Sequence, residues 1–270
     1  TRPGPHRRAT LPCEGNPFLE TMHRDAFVQG ASRGIGLELV RQLLSLEPGT
    51  RVYASCRDPS SATGLQSLRA TQPDRLRIIE LDVTREQSIE LAAEQVAQET
   101  PELELTLNVA GVLHGAGFGP EKKLAQVTPE ALRWAFEVNA FGPLLMAKHF
   151  HGFLRHEGRS VFASLSARIG SISDNQLGGW YAYRGSKAAQ NMFTKTVAIE
   201  LARLAPKAIV VGLHPGTVRT ELSAPFLRNV PRDNVLTVEE SARRLLAVIS
   251  KLQPCDSGKI FDHRGHEILP

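Results

Sequence analysis

The sequence predicts an α/β fold in which helices cover both faces of one doubly wound, parallel, seven-stranded sheet. Three observations support this prediction. From Ala26 onward, short apolar runs alternate with longer helical patterns, which is the order of elements in βαβ units. The first apolar run ends in a glycine-rich turn, GASRGIG. The 270 residues have an apolar fraction of 41%, which suits one large core, and no second core is visible.

The predicted elements follow one another in a regular order. The strands lie in DAFVQG, TRVYASC, LRIIELDV, ELELTLNVAG, GRSVFASL, KAIVVGLHPG and GKIFDH. The helices lie in GIGLELVRQLLSLEP, SATGLQSLRATQ, REQSIELAAEQVAQE, the long pattern PEALRWAFEVNAFGPLLMAKHFHGFLR, the segment that contains YAYRGSK, and TVEESARRLLAVISKL. Pro48, Pro73, Pro101 and Pro206 lie between a helix and the next strand, where proline costs little. The sequence therefore predicts seven strands and six helices.

Residues 1–24 are predicted to be a disordered extension, and residues 25–270 are predicted to form the folded domain. The extension contains prolines, glycines and four arginines, but it lacks a periodic apolar pattern. Arginine-rich leaders can direct import into mitochondria. Here the prolines and the acidic Glu14 and Glu20 favour a simple extension.

Composition excludes several classes of function. Cys13, Cys56 and Cys255 are too few and too far apart for a disulfide framework or a zinc ribbon, which favours a reducing, cytoplasmic compartment without a bound metal. No apolar run approaches the roughly 20 residues that a membrane span needs. The net charge of +4 is not concentrated in a dense Lys/Arg block, so a nucleic-acid partner is not expected.

The glycine-rich turn after the first strand is suited to hold a phosphate. Gly30, Gly34 and Gly36 have the spacing Gly-x-x-x-Gly-x-Gly, and glycines there let the backbone approach a pyrophosphate at a helix N-terminus. The commoner dinucleotide fingerprint is Gly-x-Gly-x-x-Gly, and no P-loop lysine follows the turn. A tight strand-to-helix connection without a ligand is the alternative interpretation.

Tyr183 and Lys187 form a second candidate group. Residues four apart lie on one face of a helix, whereas Tyr181, six residues before Lys187, points to roughly the opposite side. Pairs of this kind also arise by chance on exposed helices. The pair therefore gains weight only from the motifs around it.

Several motifs agree in order and spacing with one enzyme family. Besides the glycine turn, they are LDV after the third strand, NVAG after the fourth, VNAFG in the long helix, the Tyr183 and Lys187 pair, and HPGTVRT after the sixth strand. From about Ala26 onward, the chain resembles the short-chain dehydrogenases/reductases, which have a Rossmann-type fold. The stretch SLSARIGSISDNQLGGWYAYRGSKAAQNM is most similar to the branch of C-factor and the carbonyl reductase sniffer.

The resemblance implies catalytic roles for residues on the two central helices. Tyr183 would protonate the substrate oxygen as hydride arrives from reduced nicotinamide. A free phenol has a pKa of about 10, and an ammonium about 4 Å away, in an effective dielectric of about 20, has an interaction large enough to lower it by about three units. Lys187 would supply that charge and hold the nicotinamide ribose. Asn139 would hold a water that links Lys187 to solvent.

Ser166 is expected to hold the substrate carbonyl. The family usually has two consecutive serines here, whereas this chain has Ser164 and Ser166. Counting back from Gly170 favours Ser166 or Ala167, and the end of the strand favours Ser164. A donor to the carbonyl oxygen would stabilise the charge that develops there.

Two arginines favour NADP(H) as the cofactor. NAD sites place an acidic residue at the end of the second strand, whereas the 2′-phosphate of NADP needs cations. Arg57 follows that strand and Arg33 lies in the glycine turn, although Arg57 could instead pair with Asp58. By resemblance, the cofactor is expected to contact Gly30, Ser32, Arg33, Gly34, Ile35, Gly36, Arg57, Asp82, Val83, Asn108, Ala110, Gly111, Tyr183, Lys187, Pro215, Gly216, Val218 and Thr220.

Two residues of the expected cofactor floor depart from the family pattern. Gln29 stands where the family usually has threonine, and Val109 replaces the second asparagine of NNAG. Those side chains normally tie neighbouring backbone segments together, so a less rigid floor is expected. His214, at a strand end beside Pro215, is expected to be a structural histidine.

Substrate identity is expected to lie in the loop of residues 219–234, RTELSAPFLRNVPRDN. Its apolar members, Leu222, Phe226 and Leu227, either line the pocket or pack the loop onto the body. Trp180, just before the catalytic helix, lines the same pocket or the core.

Together these motifs predict an NADPH-dependent carbonyl reductase that acts on a small-molecule aldehyde, ketone or quinone. The alternative is a weakly catalytic or non-catalytic nucleotide-binding scaffold or signalling protein of the same fold. The long helices are compatible with a homo-oligomer but do not fix its state. Neither a membrane nor a nucleic acid is an expected partner.

Overall fold

The computed structural model describes residues 25–46, 49–115, 117–229 and 231–270. Its strands are β1 (Asp25–Gln29), β2 (Arg51–Cys56), β3 (Leu76–Glu80), β4 (Leu105–Asn108), β5 (Ser160–Leu165), β6 (Ala208–His214), β7 (Thr217–Val218), β8 (Val235–Leu236) and β9 (Ile260–Asp262). Seven of them form one parallel sheet in the order β3-β2-β1-β4-β5-β6-β9, while β7 pairs with β8. The strand order reverses between β1 and β4, where doubly wound sheets bind ligands beyond the carboxyl ends of the strands.

Helices cover both faces of this sheet. On one face lie α1 (Gly34–Leu46), α2 (Thr63–Thr71) and α7 (Val238–Lys251). On the other lie α3 (Glu86–Ala97), α4 (Pro129–Phe136), α5 (Gly142–Phe150) and α6 (Tyr181–Leu204). Within β1, Ala26 and Val28 belong to the first apolar layer and Phe27 to the second. Strands buried on both sides are expected in a doubly wound fold, so the predicted fold class and its seven-stranded sheet are confirmed.

The long helix predicted over residues 129–155 is interrupted. A π-helical segment, Glu137–Phe141, separates α4 from α5 and contains Asn139. Pro143 follows at the start of α5 and lacks the N–H that a continuous α-helix would use. Single π turns inside helices are frequent at functional sites. The predicted helix count is wrong because the apolar pattern continues through a change in backbone hydrogen bonding.

Three further predictions have different outcomes. The strands β7 and β8 were not predicted, because two-residue strands carry no periodic pattern. The disordered extension predicted for residues 1–24 lies outside the described residues. Among the helices of the described ranges, none is both long and apolar enough to cross a bilayer.

Candidate active site

The glycine turn brings the start of α1 against the end of β4. Gly30 has a φ of +80° and Gly34 one of +55°, in the left-handed region that favours glycine. A Cβ at Gly30 would lie 2.6 Å from the Ala110 nitrogen, and a Cβ at Gly36 only 2.2 Å from the Gly30 carbonyl oxygen. The same turn contains Ser32, Arg33 and Ile35. Because no side chain fits between this turn and β4, the backbone forms a cradle of the kind that holds a pyrophosphate.

Gln29 fastens β1 to the residues after β4. Its side chain is buried, and its Oε1 accepts a hydrogen bond from the Ala110 N–H at 3.1 Å. Its backbone carbonyl accepts from the Val109 N–H at 3.0 Å, and Val109 packs against the apolar core. The expectation of a less rigid floor is therefore wrong at Gln29, because its amide spans the gap between the two segments.

The end of β2 also lies beside the glycine turn. The Ser55 carbonyl accepts hydrogen bonds from the N–H groups of Gly30 and Ala31, at 3.0 and 2.9 Å. Arg57 follows two residues later and is exposed. Asp58 accepts hydrogen bonds from two serines of its own loop, and no ion pair within the described ranges joins it to Arg57. Arg57 is therefore available beside the cradle.

The segment after β6 reaches across to the same turn. A Cβ at Gly34 would lie 3.7 Å from the Thr220 Cγ2, so Thr220 flanks the start of α1. Next to it, Glu221 forms an ion pair with Arg33, with 2.9 Å between Oε2 and Nη1 and both side chains more than two-thirds exposed. Val218 is buried beneath this crossing. The structure thus brings two motifs that are distant in sequence to one crevice.

The turn that starts this segment has a glycine, Gly216, in the left-handed conformation, and it follows the buried His214. Gly216, after Pro215, has a φ of +83°, and a Cβ there would lie 3.0 Å from the His263 Nδ1. Burial, with the nearby charge of Arg168, lowers the pKa of His214 to about 4. The His214 imidazole therefore stays neutral through physiological pH, and its structural role stays a prediction.

The loop after β3 lies at the same edge of the sheet. The Asp82 Oδ1 accepts hydrogen bonds from the N–H and the hydroxyl of Thr84, at 3.0 and 2.8 Å. Val83 packs on Gly142, where a Cβ would lie 2.9 Å from the Val83 Cβ. These contacts fix the loop against α5. Contact between Asp82 and an adenine stays a prediction.

Tyr183 and Lys187 share one face of α6, and that face points toward the residues after β4. The Lys187 side chain is buried, and its Nζ donates to the Leu165 carbonyl at 2.7 Å and to the Gln190 Oε1 at 2.9 Å. The same Nζ lies 6.0 Å from the centre of the Tyr183 ring. A Cβ at Gly111 would lie 3.7 Å from this Nζ. The ammonium therefore lies between the tyrosine and the cofactor floor.

Burial shifts the pKa values of this pair in opposite directions. It raises the pKa of the Tyr183 phenol to about 12 and lowers the pKa of Lys187 to about 7. A depression of the phenol pKa by Lys187 was expected, and the direction is the reverse because burial removes water from the phenol and raises its pKa. Tyr183 is thus a protonated donor at neutral pH, and Lys187 changes charge near neutrality.

The buried Lys187 predicts a pH-dependent stability. Its pKa is about 7 in the folded protein and 10.5 ordinarily, so between these values the unfolded chain binds more protons and stability rises with pH. Lys187→Met removes this dependence. Urea unfolding should show the variant most stabilised relative to wild type at or below pH 7, with the difference shrinking toward pH 10. An equal difference at all pH values would contradict the shift, and the exposed Lys251→Met is the control.

Asn139 joins the π-helical segment to both sides of the site. Its Oδ1 accepts from the Val112 N–H at 2.8 Å, and its Nδ2 donates to the Val112 carbonyl at 2.9 Å and to the Ser186 Oγ at 3.1 Å. A Cβ at Gly111 would lie 3.3 Å from the Asn139 Oδ1 and 3.7 Å from the Lys187 Nζ. The structure therefore brings Asn139 and Lys187 to the same glycine, and the water expected between Lys187 and solvent stays a prediction.

The two candidate serines make different hydrogen bonds. The Ser166 hydroxyl donates to the Asn191 Oδ1 at 2.5 Å, whereas the Ser164 hydroxyl accepts from the Asn108 Nδ2 at 3.0 Å. Both serines are buried beneath α6. The Ser166 hydroxyl thus donates its proton to Asn191 on α6, whereas the Ser164 hydroxyl keeps its proton for another acceptor. The assignment of the substrate carbonyl to Ser166 stays a prediction.

Aromatic rings from three separate loops meet above Tyr183. The Trp180 ring lies 6.3 Å from that of Tyr183 and 5.0 Å from that of Phe226, in the loop after β7. Phe226 also packs on His114 at 5.7 Å, and the His114 Nε2 lies 3.0 Å from the Leu222 carbonyl. Trp180, Phe226 and Tyr183 therefore form one aromatic cluster at the start of α6. His114 was missed because nothing in the sequence around it forms a motif.

Comparisons with known proteins agree with this geometry. A family model described as short chain dehydrogenase matches residues 24–230. An uncharacterized oxidoreductase of Schizosaccharomyces pombe is 29% identical over 262 residues, which cover 93% of this chain and 100% of the relative. The C-signal protein of Myxococcus xanthus is 38% identical over 134 residues, or 49% of this chain and 75% of that protein.

Two solved structures of carbonyl reductases are similar over nearly the whole chain. The NADPH-bound carbonyl reductase from chicken fatty liver superposes with a TM-score of 0.82 at 32% identity, covering 92% of this chain and 99% of that one. Carbonyl reductase Sniffer of D. melanogaster gives 0.81 at 25% identity, covering 93% and 100%.

Proposed function

Because the chain belongs to the short chain dehydrogenase family, we propose that it is an NADPH-dependent carbonyl reductase acting on an aldehyde, ketone or quinone. The family makes it an oxidoreductase. The observation that carries the finer proposal is the placement of Tyr183 and Lys187 on one face of α6, with the Lys187 Nζ against Gly111 of the cofactor floor. The carbonyl reductase structures named above add support, one of them with NADPH bound.

The cofactor site fits NADP(H) in shape and charge. Side chains are excluded from the cradle by the close approaches at Gly30 and Gly36, which suits a pyrophosphate held by backbone. Arg33 and Arg57 border the cradle on its exposed side, where a 2′-phosphate would meet two guanidinium groups. When bound, the reduced nicotinamide supplies the hydride.

Tyr183 donates the proton in the proposed reaction. With a pKa of about 12 its hydroxyl stays protonated through neutrality, so it can hydrogen-bond the carbonyl oxygen and transfer the proton as that oxygen gains charge. Lys187, whose pKa is about 7, stabilises the phenolate that forms and takes part in returning its proton. Asn139, whose Oδ1 lies beside Gly111 as the Lys187 Nζ does, is proposed to hold the water that connects Lys187 to solvent.

The substrate approaches through an apolar, aromatic entrance. Trp180 and Phe226 lie 5.0 Å apart over Tyr183, and neither carries a charge that would demand an acidic or basic substrate. Such walls suit an apolar carbonyl compound. The proposed substrate class therefore stays broad within aldehydes, ketones and quinones.

A panel of carbonyl compounds tests this function. Purified protein should oxidise NADPH, followed at 340 nm, in the presence of at least some apolar aldehydes, diketones or quinones, with the corresponding alcohol or hydroquinone detected as product. NADPH binding without turnover on a wide panel would instead support the nucleotide-binding scaffold.

Single serine variants test which hydroxyl holds the carbonyl. We expect Ser166→Ala to lower kcat/KM by about 10²-fold, the order found when one donor to a developing oxyanion is removed. If Ser166 holds the carbonyl, Ser164→Ala removes only the acceptor for the Asn108 Nδ2 and should retain more activity. Initial rates at saturating NADPH and varied carbonyl concentration give kcat/KM for both variants. The opposite ranking would assign the role to Ser164.

A further inference from the structure

The first turn of α6 has no capping side chain of its own. Trp180 precedes the helix in a left-handed conformation, with a φ of 54°, and its side chain makes no capping hydrogen bond. The first N–H groups of any helix lack acceptors within the helix. Tyr183 is the third residue of α6, so the groups that satisfy this turn also place its hydroxyl.

Glu121, on the loop before α4, supplies acceptors for this turn. Its backbone carbonyl accepts from the Trp180 N–H at 2.5 Å, and both of its carboxylate oxygens lie 3.3 Å from the Ala182 nitrogen. The residue is only 5% exposed. Gly179 passes so close that a Cβ there would lie 3.2 Å from the Glu121 carbonyl oxygen. A carboxylate in this position is also favoured by the dipole of α6.

Arg184 holds the other side of the same segment. Its Nε donates to the carbonyls of Gly178 and Gly179, at 3.3 and 3.0 Å, and its Nη1 donates to the Ile169 carbonyl at 3.3 Å. Gly178, Gly179 and Trp180 are three consecutive left-handed residues. A run of this kind needs contacts from outside to persist, and Glu121 and Arg184 provide them.

We propose that Glu121 is a positioning residue for Tyr183, an inference that rests on the proposed function. The two residues line the same small cavity between α4 and the start of α6. Lys187 is fixed independently, by the Leu165 carbonyl and Gln190. Losing the contacts of the Glu121 carboxylate with the Ala182 N–H therefore moves the tyrosine relative to the lysine while leaving the glycine cradle intact. Misplacement of a reacting group by about 1 Å can cost about 10²-fold in rate.

Substitutions at Glu121 test this role. In Glu121→Ala, kcat should fall about 10- to 100-fold, with the Kd for NADPH little changed. Glu121→Gln keeps an acceptor at the same reach and should recover most of the rate. Glu121→Asp keeps the carboxylate but not its reach, so it should behave like Ala while preserving the charge. Glu200→Ala, an exposed glutamate farther along α6, is the matched control.

A second readout does not depend on turnover. Amide hydrogen exchange in the first turn of α6, measured on the protein alone, should speed up in the Ala and Asp variants but not in Gln or in the control. The proposal would be overturned if the Ala and Asp variants both had the kcat and the amide exchange rates of the wild type. It would also be overturned if these variants lost rate and NADPH affinity to the same extent. If wild type itself reduces no carbonyl, the proposed function fails, and exchange still decides whether Glu121 holds the turn.

Discussion

Tyr183→Phe should lower kcat for carbonyl reduction by about 10³-fold, within the range of general acid catalysis. The change removes one oxygen, the proton donor, from a ring that keeps its packing against Trp180. Binding of NADPH should be nearly unchanged, because the cradle and the two arginines are untouched. Stopped-flow or steady-state oxidation at 340 nm gives the rate, and fluorescence titration gives the cofactor affinity.

Tyr181→Phe is the matched control for this change. Tyr181 lies two residues earlier on α6, and its side chain is 39% exposed, away from the face that carries Lys187. It should keep the wild-type rate. Comparable losses in both variants would show that the effect comes from the helix start rather than from the phenol of Tyr183.

Replacing Arg33 and Arg57 together by Ala should weaken NADPH binding by about 10²-fold or more. Hydrogen bonds to charged groups contribute about 1.5 to 3 kcal/mol each, and a 2′-phosphate between two guanidinium groups would lose both. NADH, which lacks that phosphate, should bind as before. Titrations with both cofactors measure the ratio of their affinities, which should fall toward unity.

Arg203→Ala, at an exposed position at the far end of α6, controls for the loss of one surface arginine remote from the cradle. If the double variant lost as much affinity for NADH as for NADPH, the assignment of the two arginines to the 2′-phosphate would be contradicted. It would mean that the arginines hold a part of the nucleotide that both cofactors share, or that they support the fold.

Local periodicity was sufficient to predict the architecture, whereas the roles of the central residues of the candidate site came from the resemblance to a known family. The seven strands of the sheet are short, largely apolar runs between helical patterns, so their order in the chain could be recognised. Helical geometry places Tyr183 and Lys187 on one face, and the motifs around the pair distinguished it from pairs that arise by chance. Gly30 and Gly36 were identifiable because their spacing follows a strand directly.

Contacts between distant loops could not be predicted in this way. Gln29 reaches the Ala110 N–H, and Glu121 caps α6, across many residues of intervening chain. Neither pairing leaves a pattern near the residue itself. The π-helical segment was missed although Pro143 marked its end, because the apolar spacing resembles that of one long helix.

The pKa of Tyr183 could not be predicted from the sequence for a different reason. Its spacing from Lys187 predicted a charge within reach of the phenol, but a pKa depends on the balance between that charge and desolvation. The Nζ faces the ring from 6.0 Å, and burial raises the pKa to about 12. The depth of burial and the direction of the Nζ are properties of the packed protein, which a spacing of four residues does not contain.

The most direct test of the central claim is the fate of the transferred hydrogen. The protein should be incubated with an aldehyde or diketone from the active panel and NADPH deuterated at both C4 positions, and the product examined by mass spectrometry and NMR. Hydride transfer to the carbonyl predicts one deuterium on the carbinol carbon and none on the hydroxyl oxygen. Product without deuterium, or no product despite bound NADPH, would contradict the assignment as a carbonyl reductase.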